Sequence, residues 1–472
     1  MTTIRTAPHG ADTRPNTAAQ PKLRLPGPRW YSAVGNTISL LRDALGFSVD
    51  MRGRYGDVVS VPTLVGTMTM VFHPDGVRHV LQENHLNYNK DIPDYRILSQ
   101  LVGKGLVTND GASWLQQRRL IQPAFHRDRV SGFVPLMTDA TQAWLDQRTA
   151  EGYVDSGRPL DIPHEMGELT LTIVCRSLFG ADLPQAELER VGVALTTANH
   201  ALATALFVPG LLALPTPQRR RLRAARRELY AVVDTLIRER RANQGQHNDV
   251  LSLLLEARDA ETGAGMSDQQ ARDEVLTLLL AGHETTANAL AWTLYLLAQH
   301  PDSVAPLREE YRRTLAGRAP ELADLPQLPH TRMAVEEAMR LYPPAWAIGR
   351  NALGDDTIGG YRIAKGAYVI LTQYATHRHP AFWERPDDYE PERFADDRAE
   401  GRHRYAYFPF GGGPRLCIGN QFALMEAQLI LATILSRVEL RLAPDARVVP
   451  EPLITLRPGG ALRMTLHRAE EA

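Results

Sequence analysis

From Ser267 to His300 the sequence reads SDQQARDEVLTLLLAGHETTANALAWTLYLLAQH, and no other stretch restricts the possible fold so strongly. Ser267 and Asp268 are suited to cap a helix and Pro301 to stop one, so the spacing predicts a single helix of about 34 residues, roughly 50 Å long. Its apolar residues fall on nearly every side. Such a helix has no face to offer to water. It must cross the middle of a domain large enough to wrap it, and a chain of 472 residues can supply that wrapping.

The remaining sequence is mostly further helix. LQQRRLIQPAF, VPLMTDATQAWLDQ, HEMGELTLTIVCRSLFG, RAARRELYAVVDTLIRERR and NDVLSLLLEARD carry apolar residues at three- and four-residue spacings. Gly56 to Phe72 alternates β-branched and small residues around a glycine turn, which reads as a hairpin. Short strands are expected again at 361–371 and in the C-terminal ITLRPGGALRMTL. The predicted architecture is mainly α with a small β subdomain built from both ends of the chain. One integrated domain over 21–472 follows a flexible Thr/Ala/Pro-rich tail at 1–20.

Hydrophobic residues make up 44% and charged residues 23%, with a formal net charge of -1, which excludes a disordered chain and argues against nucleic acid as a partner. The arginines between Arg219 and Arg227 precede an amphipathic pattern and read as a solvated face. The N-terminus lacks the apolar core of a secretory signal, and no apolar run is long enough for a transmembrane anchor. Cys175 and Cys417 are too few for a disulfide framework or a four-cysteine zinc site, so a reducing cytoplasm is expected.

Cys417 lies in FPFGGGPRLCIGN, among Gly411, Gly412, Gly413 and Gly419 and just before a helical pattern at 420–435. Glycines let the backbone fold tightly around a sulfur, and a helix N-terminus stabilises its thiolate. A thiolate is a soft, electron-donating ligand suited to haem iron. Cys175, on an apolar helical face, reads as a small buried hydrophobe.

Phe410, Gly413, Arg415, Cys417 and Gly419 match FxxGxRxCxG, and with AGHETT, EEAMR and PERF in order along the chain the sequence resembles the cytochrome P450 family of haem-thiolate monooxygenases. The resemblance implies the family's triangular helical prism, with haem b between the long central helix and the cysteine loop. Cys417 is then the axial iron ligand, and Glu284 and Thr285 are the catalytic acid–alcohol pair that manages protons. His283 and Glu284 also begin a zinc HExxH pattern, but its second histidine position is Ala287 and that reading fails.

Glu337 and Arg340 could form a surface pair one helical turn apart. The resemblance instead joins them to Arg393 in a buried structural network. It assigns haem contacts to Trp114, Arg118, Arg350, Arg415 and Phe410, and also to Lys90, for which a plain surface lysine is the alternative. Leu280, Ala281, Ala345, Trp346, Ala347, Ile348, Ile454 and Thr455 are implied to line the substrate pocket, with part of the 91–105 loop. The apolar segment 201–215 resembles the family's mobile lid.

The implied reaction inserts one oxygen atom of O2 into a hydrophobic small molecule by C–H hydroxylation or epoxidation, with terpenoids favoured over fatty acids and macrolides. Electrons are expected from a separate ferredoxin or flavodoxin with its reductase, steered by Arg402 and Arg404 to a monomeric enzyme. The rival readings are a peroxide-driven haem-thiolate peroxygenase and a non-enzymatic haem sensor.

Overall fold

The computed structural model describes residues 24–207, 214–243, 249–259, 261 and 263–469. The tail expected at 1–20 and the 208–213 part of the apolar segment lie outside the described residues.

The long helix spans Asp268–Gln299. Ser267 accepts from the Gln270 N–H while the Gln270 side chain returns to the Ser267 N–H, a reciprocal cap, and His300 ends the helix before Pro301. At 1.5 Å per residue its 32 residues cover about 48 Å. Both its halves are largely buried, but between Leu280 and Thr285 burial relaxes where the helix passes a cavity.

Ile162–Phe179 packs along this central helix, and the paired helices Gln185–Phe207 and Pro217–Ala242 lie beside it. Pro329–Leu341 and Asn420–Leu435 also pack against it. Gly282 has its reason in this packing: a Cβ there would meet Val174 Cγ2 at 3.1 Å. Glycine costs about 1 kcal/mol against alanine inside a helix, and here it lets two helices approach. On Pro217–Ala242, Leu222, Ala225 and Leu229 are buried while Arg220, Arg221, Arg223 and Arg227 are exposed, so the arginine run is one face of an amphipathic helix.

The hairpin pairs Val58–Thr63 with Gly66–Val71, from Val58 opposite Val71 to Thr63 opposite Gly66, around a Leu64–Val65 turn. Its second strand runs parallel to Tyr368–Leu371, which is followed across the sheet by Ile348–Ala352 and Tyr88–Asn89. The hairpin thus shares a sheet with part of the 361–371 segment, and the expected topology is corrected only for the C-terminal strands. The C-terminal strands do not join the N-terminal sheet: Leu456–Ala461 pairs with Arg447–Pro452, and Arg463–Arg468 lies between Val438–Leu442 and Leu160–Asp161. Two short-strand segments with equivalent patterns cannot reveal their partners, because strand pairing is decided by the helices between them.

Candidate active site

Cys417 follows the tight turn Gly413–Arg415 and precedes the helix Asn420–Leu435. Its N–H donates to the Phe410 carbonyl at 3.0 Å, closing the loop, and Cys417 and Phe410 both stand on the wall of the cavity. The glycines have separate reasons. At Gly413 φ is +63° and a Cβ would meet the Leu81 carbonyl oxygen at 1.9 Å; at Gly412 a Cβ would meet the Tyr405 ring at 2.3 Å. Both are set by neighbouring elements rather than by the sulfur. Gly419, with φ of -93° and nothing nearer its Cβ position than Phe125 at 3.9 Å, has no such requirement. Cys417 is exposed to the cavity, yet the protein packed around it desolvates the thiol and raises it, opposed by the Gly419 N–H and by the charge of Arg118.

Four cations converge on the same cavity. Asp110 caps the helix Gly111–Ile121, on which Trp114 and Arg118 lie one turn apart. Arg118 Nη1 donates to the Leu416 carbonyl at 3.0 Å. Arg350 Nη1 donates to the Gly349 carbonyl at 2.8 Å and to the Tyr95 hydroxyl at 3.0 Å. Lys90 is buried, so it is no surface lysine, and its Nζ donates to the carbonyls of Val107 at 2.7 Å and Leu106 at 3.2 Å. Burial, then Arg350 and Arg415, push its ammonium well below the usual range. Arg415 differs from the others: it stacks over Trp114 at 4.2 Å and is already paired with Asp110.

Among the described residues, Arg118, Arg350 and Lys90 have only carbonyl or hydroxyl oxygens as hydrogen-bond acceptors and no carboxylate in ion-pair contact. Buried charges left in that state call for an anion. Together with a cavity-facing cysteine sulfur and apolar walls at Ala281, Ile418 and Ala423, the donor set fits haem, whose two carboxylates would complete the cations.

The central helix supplies part of the cavity wall through Ala281, Gly282, Thr285, Thr286 and Ala289. The Thr285 hydroxyl donates to the Ala281 carbonyl one turn back at 2.5 Å, leaving its lone pairs free to accept. Glu284 is not on this wall. Its Oε1 accepts from the Thr455 hydroxyl at 2.5 Å and from the Asn199 amide, so acid and alcohol face different surroundings. Burial pushes the Glu284 carboxyl up, while Thr455 and Arg457 pull it down. His283 turns its imidazole toward Ile162–Phe179, where a Cβ on Gly167 would meet its Nε2 at 3.6 Å, and its carbonyl accepts from Thr170 at 3.1 Å. Burial lowers its imidazole to about 4.

Below the cysteine loop, Glu337 and Arg340 are fully buried and joined by two bonds of 2.7 and 2.8 Å. Arg340 also donates to the carbonyls of His377, Pro386 and Asp388, and Arg393 reaches Glu337 at 3.4 Å and Glu390 at 3.0 Å. Arg402, expected among the steering charges, belongs to this network instead: it stacks on Trp383 at 4.4 Å and donates to the Arg393 carbonyl. Arg404 is exposed.

Of the positions implied for the substrate pocket, Ala281, Ala345 and Ile348 line the cavity, whereas Leu280, Trp346, Ala347, Ile454 and Thr455 do not. Trp346 turns its Nε1 to the Leu453 carbonyl at 3.1 Å. The 91–105 segment is mainly the helix Pro93–Val102, and Tyr95 brings it to the wall. Gln373, Glu274 and Glu426 were not among the expected site residues, and Tyr95 was implied only through the 91–105 segment. Gln373 is fully buried on the cavity wall with neither amide atom hydrogen-bonded to the described residues. Burial raises Glu274 to about 8 against the Leu106 N–H it accepts. It also lifts Glu426 well above the carboxylate range beside Thr286. An acid inside an apolar helical pattern was the available signal for Glu274 and Glu426. Gln373 carried none.

The sequence matches the family described as cytochrome P450 over residues 25–462. It is 37% identical to "Cyclooctatin synthase" of Streptomyces melanosporofaciens, across 96% of this chain and 98% of that protein. It is 36% identical to "Cyclooctat-9-en-7-ol 5-monooxygenase" of the same organism, across 87% and 88%. "Pentalenene oxygenase" of Streptomyces avermitilis is 33% identical across 92% and 95%. The fold superposes on the crystal structure of the cytochrome P450DA heme domain with a TM-score of 0.86 at 30% identity, covering 96% of this chain and 99% of that one. With a cysteine loop, a cationic clamp and a threonine-bearing central helix around one cavity, the chain belongs to the cytochrome P450 family.

Proposed function

We propose that this monooxygenase oxidises a terpenoid hydrocarbon or terpenoid alcohol, inserting one oxygen atom of O2 at a C–H or C=C bond while the other leaves as water. The observation that carries the reading is that Cys417 and Thr285, from separate elements, line one largely apolar cavity. The relatives named for cyclooctat-9-en-7-ol and pentalenene support the terpenoid class. Haem b, when bound, supplies the iron centre at which O2 is reduced and split.

Each remaining role belongs to the chain. Cys417 would hold the iron, and Arg118, Arg350, Lys90 and Trp114 the carboxylate edge. Ala281, Ala289, Ala345 and Ile348 present apolar surface that orients a hydrocarbon and excludes water. Thr285, its own proton committed to Ala281, accepts a hydrogen bond at the reacting centre, and Glu284 serves as the acid that replaces consumed protons. The electron pair comes from a separate ferredoxin or flavodoxin docking near exposed Arg404, and a monomer in the cytoplasm suits that arrangement.

A panel of terpenes, fatty acids and macrolides tested for the high-spin Soret shift checks the substrate class. Terpenes should give the largest shifts. Saturation by fatty acids alone would refute the terpenoid reading, and turnover with peroxide but not with O2 plus a reductant would favour the peroxygenase.

A further inference from the structure

Glu284 is held by polar side chains from elements far apart in sequence. Asn199 projects from Gln185–Phe207 and donates to Oε1; Thr455, just before the strand Leu456–Ala461, donates to the same oxygen at 2.5 Å. Asn288, one turn along the central helix, donates to the Thr455 hydroxyl at 3.0 Å. The Ile454 N–H closes the circuit on Asn199 Oδ1 at 3.4 Å.

The direction of these bonds follows from what each group can do. Asn288 gives a hydrogen to Thr455, whose own hydrogen then goes to Glu284. Both donors end on Oε1. Oε2 receives neither and is left as the oxygen able to carry a proton.

We infer that Asn199, Thr455 and Asn288 are positioning residues for the relay acid: they pin Oε1 and so place the transferable proton on Oε2. The inference rests on reading Glu284 as that acid. A proton leaving Oε2 is replaced from solvent, and the negative charge left behind meets two donors already aimed at it, so little must reorganise during transfer. The charge of Arg457 also acts on Glu284 and favours the same ionised state. None of the three positioning residues touches the cavity. The clasp also joins the acid to the Gln185–Phe207 helix and the 453–455 turn, so correct placement of the proton requires both to be seated on the central helix.

The test uses the purified holoenzyme with Thr455→Val, Thr455→Ser and Asn199→Leu. The first readout is the infrared C=O band of the Glu284 acid, assigned by its disappearance in Glu284→Gln. The second is peroxide released per substrate oxidised. Thr455→Val and Asn199→Leu should shift the band to higher frequency and raise peroxide release several-fold. Thr455→Ser, which keeps the hydroxyl, should restore both. An unshifted band with wild-type coupling in Thr455→Val and Asn199→Leu would overturn the inference, as would absence of any Glu284 acid band. Normal coupling in Glu284→Gln would instead overturn the relay reading itself, and it is told apart because that result does not involve Thr455 or Asn199.

Discussion

Arg118 is tied to Cys417 twice: its Nη1 donates to the carbonyl of the preceding residue, Leu416, at 3.0 Å, and its charge opposes the rise that burial imposes on the thiol. It therefore braces the cysteine loop and, in the proposed reading, would also offer a cation to the cofactor edge. Arg118→Leu removes both. A hydrogen bond from a charged donor is worth about 1.5–3 kcal/mol, so haem should dissociate roughly ten- to a hundredfold faster. Haem transfer to a scavenger protein measures this, and Arg118→Lys should fall between, since lysine keeps the charge without the planar fork.

Arg340 occupies a fully buried site with five hydrogen bonds, two to Glu337 and three to backbone carbonyls. Replacing it with leucine leaves Glu337 charged and unpartnered on that side. The cost is about 3–5 kcal/mol, a large share of a domain's stability. Arg393→Gln should cost less, because Arg393 meets Glu337 only at 3.4 Å and shares its charge with Glu390. Thermal unfolding of the holoproteins should rank the wild type above Arg393→Gln and Arg393→Gln above Arg340→Leu.

Gly282→Ala sets two effects against each other. Helix propensity favours alanine by about 1 kcal/mol. Crowding of Val174, which a Cβ would meet at 3.1 Å, costs about 1–3 kcal/mol in a packed core. The net expectation is a loss of stability that Val174→Ala relieves. A double-mutant cycle in denaturant should show positive coupling between the two sites.

The central helix was readable to the residue at its start, because Ser267, Asp268 and Pro301 are local signals that tertiary contacts only reinforce. The cysteine loop and the buried acid–arginine pair were readable for a different reason: their spacings match the family's motifs. Partners across the fold were not legible. Nothing in NYNKD shows that Lys90 ends buried against two carbonyls, nor in TANH that Asn199 reaches Glu284. Local patterns specify elements, whereas the carboxyl of Glu284 finds Thr455, 171 positions further along the chain, only after the segment between them has folded.

His283 should leave a mark on acid stability. Its imidazole sits at about 4 in the folded chain, below the ordinary 6.5, because burial disfavours the cation. Between those values the unfolded chain takes up a proton that the native one refuses, so stability falls as pH drops from 6.5 toward 4, by at most about 3 kcal/mol. His283→Asn should flatten that part of the profile. Urea midpoints at pH 7, 6 and 5 would show it.

The most direct test of the whole account is the spectrum of the reduced carbon monoxide complex in wild type and in Cys417→Ser. The wild type should give the red-shifted Soret band of a thiolate-ligated haem, and Cys417→Ser should bind less haem and lose that band. Persistence of the thiolate band in Cys417→Ser would contradict the assignment of Cys417 as the iron ligand, and with it the placement of the reaction in this cavity.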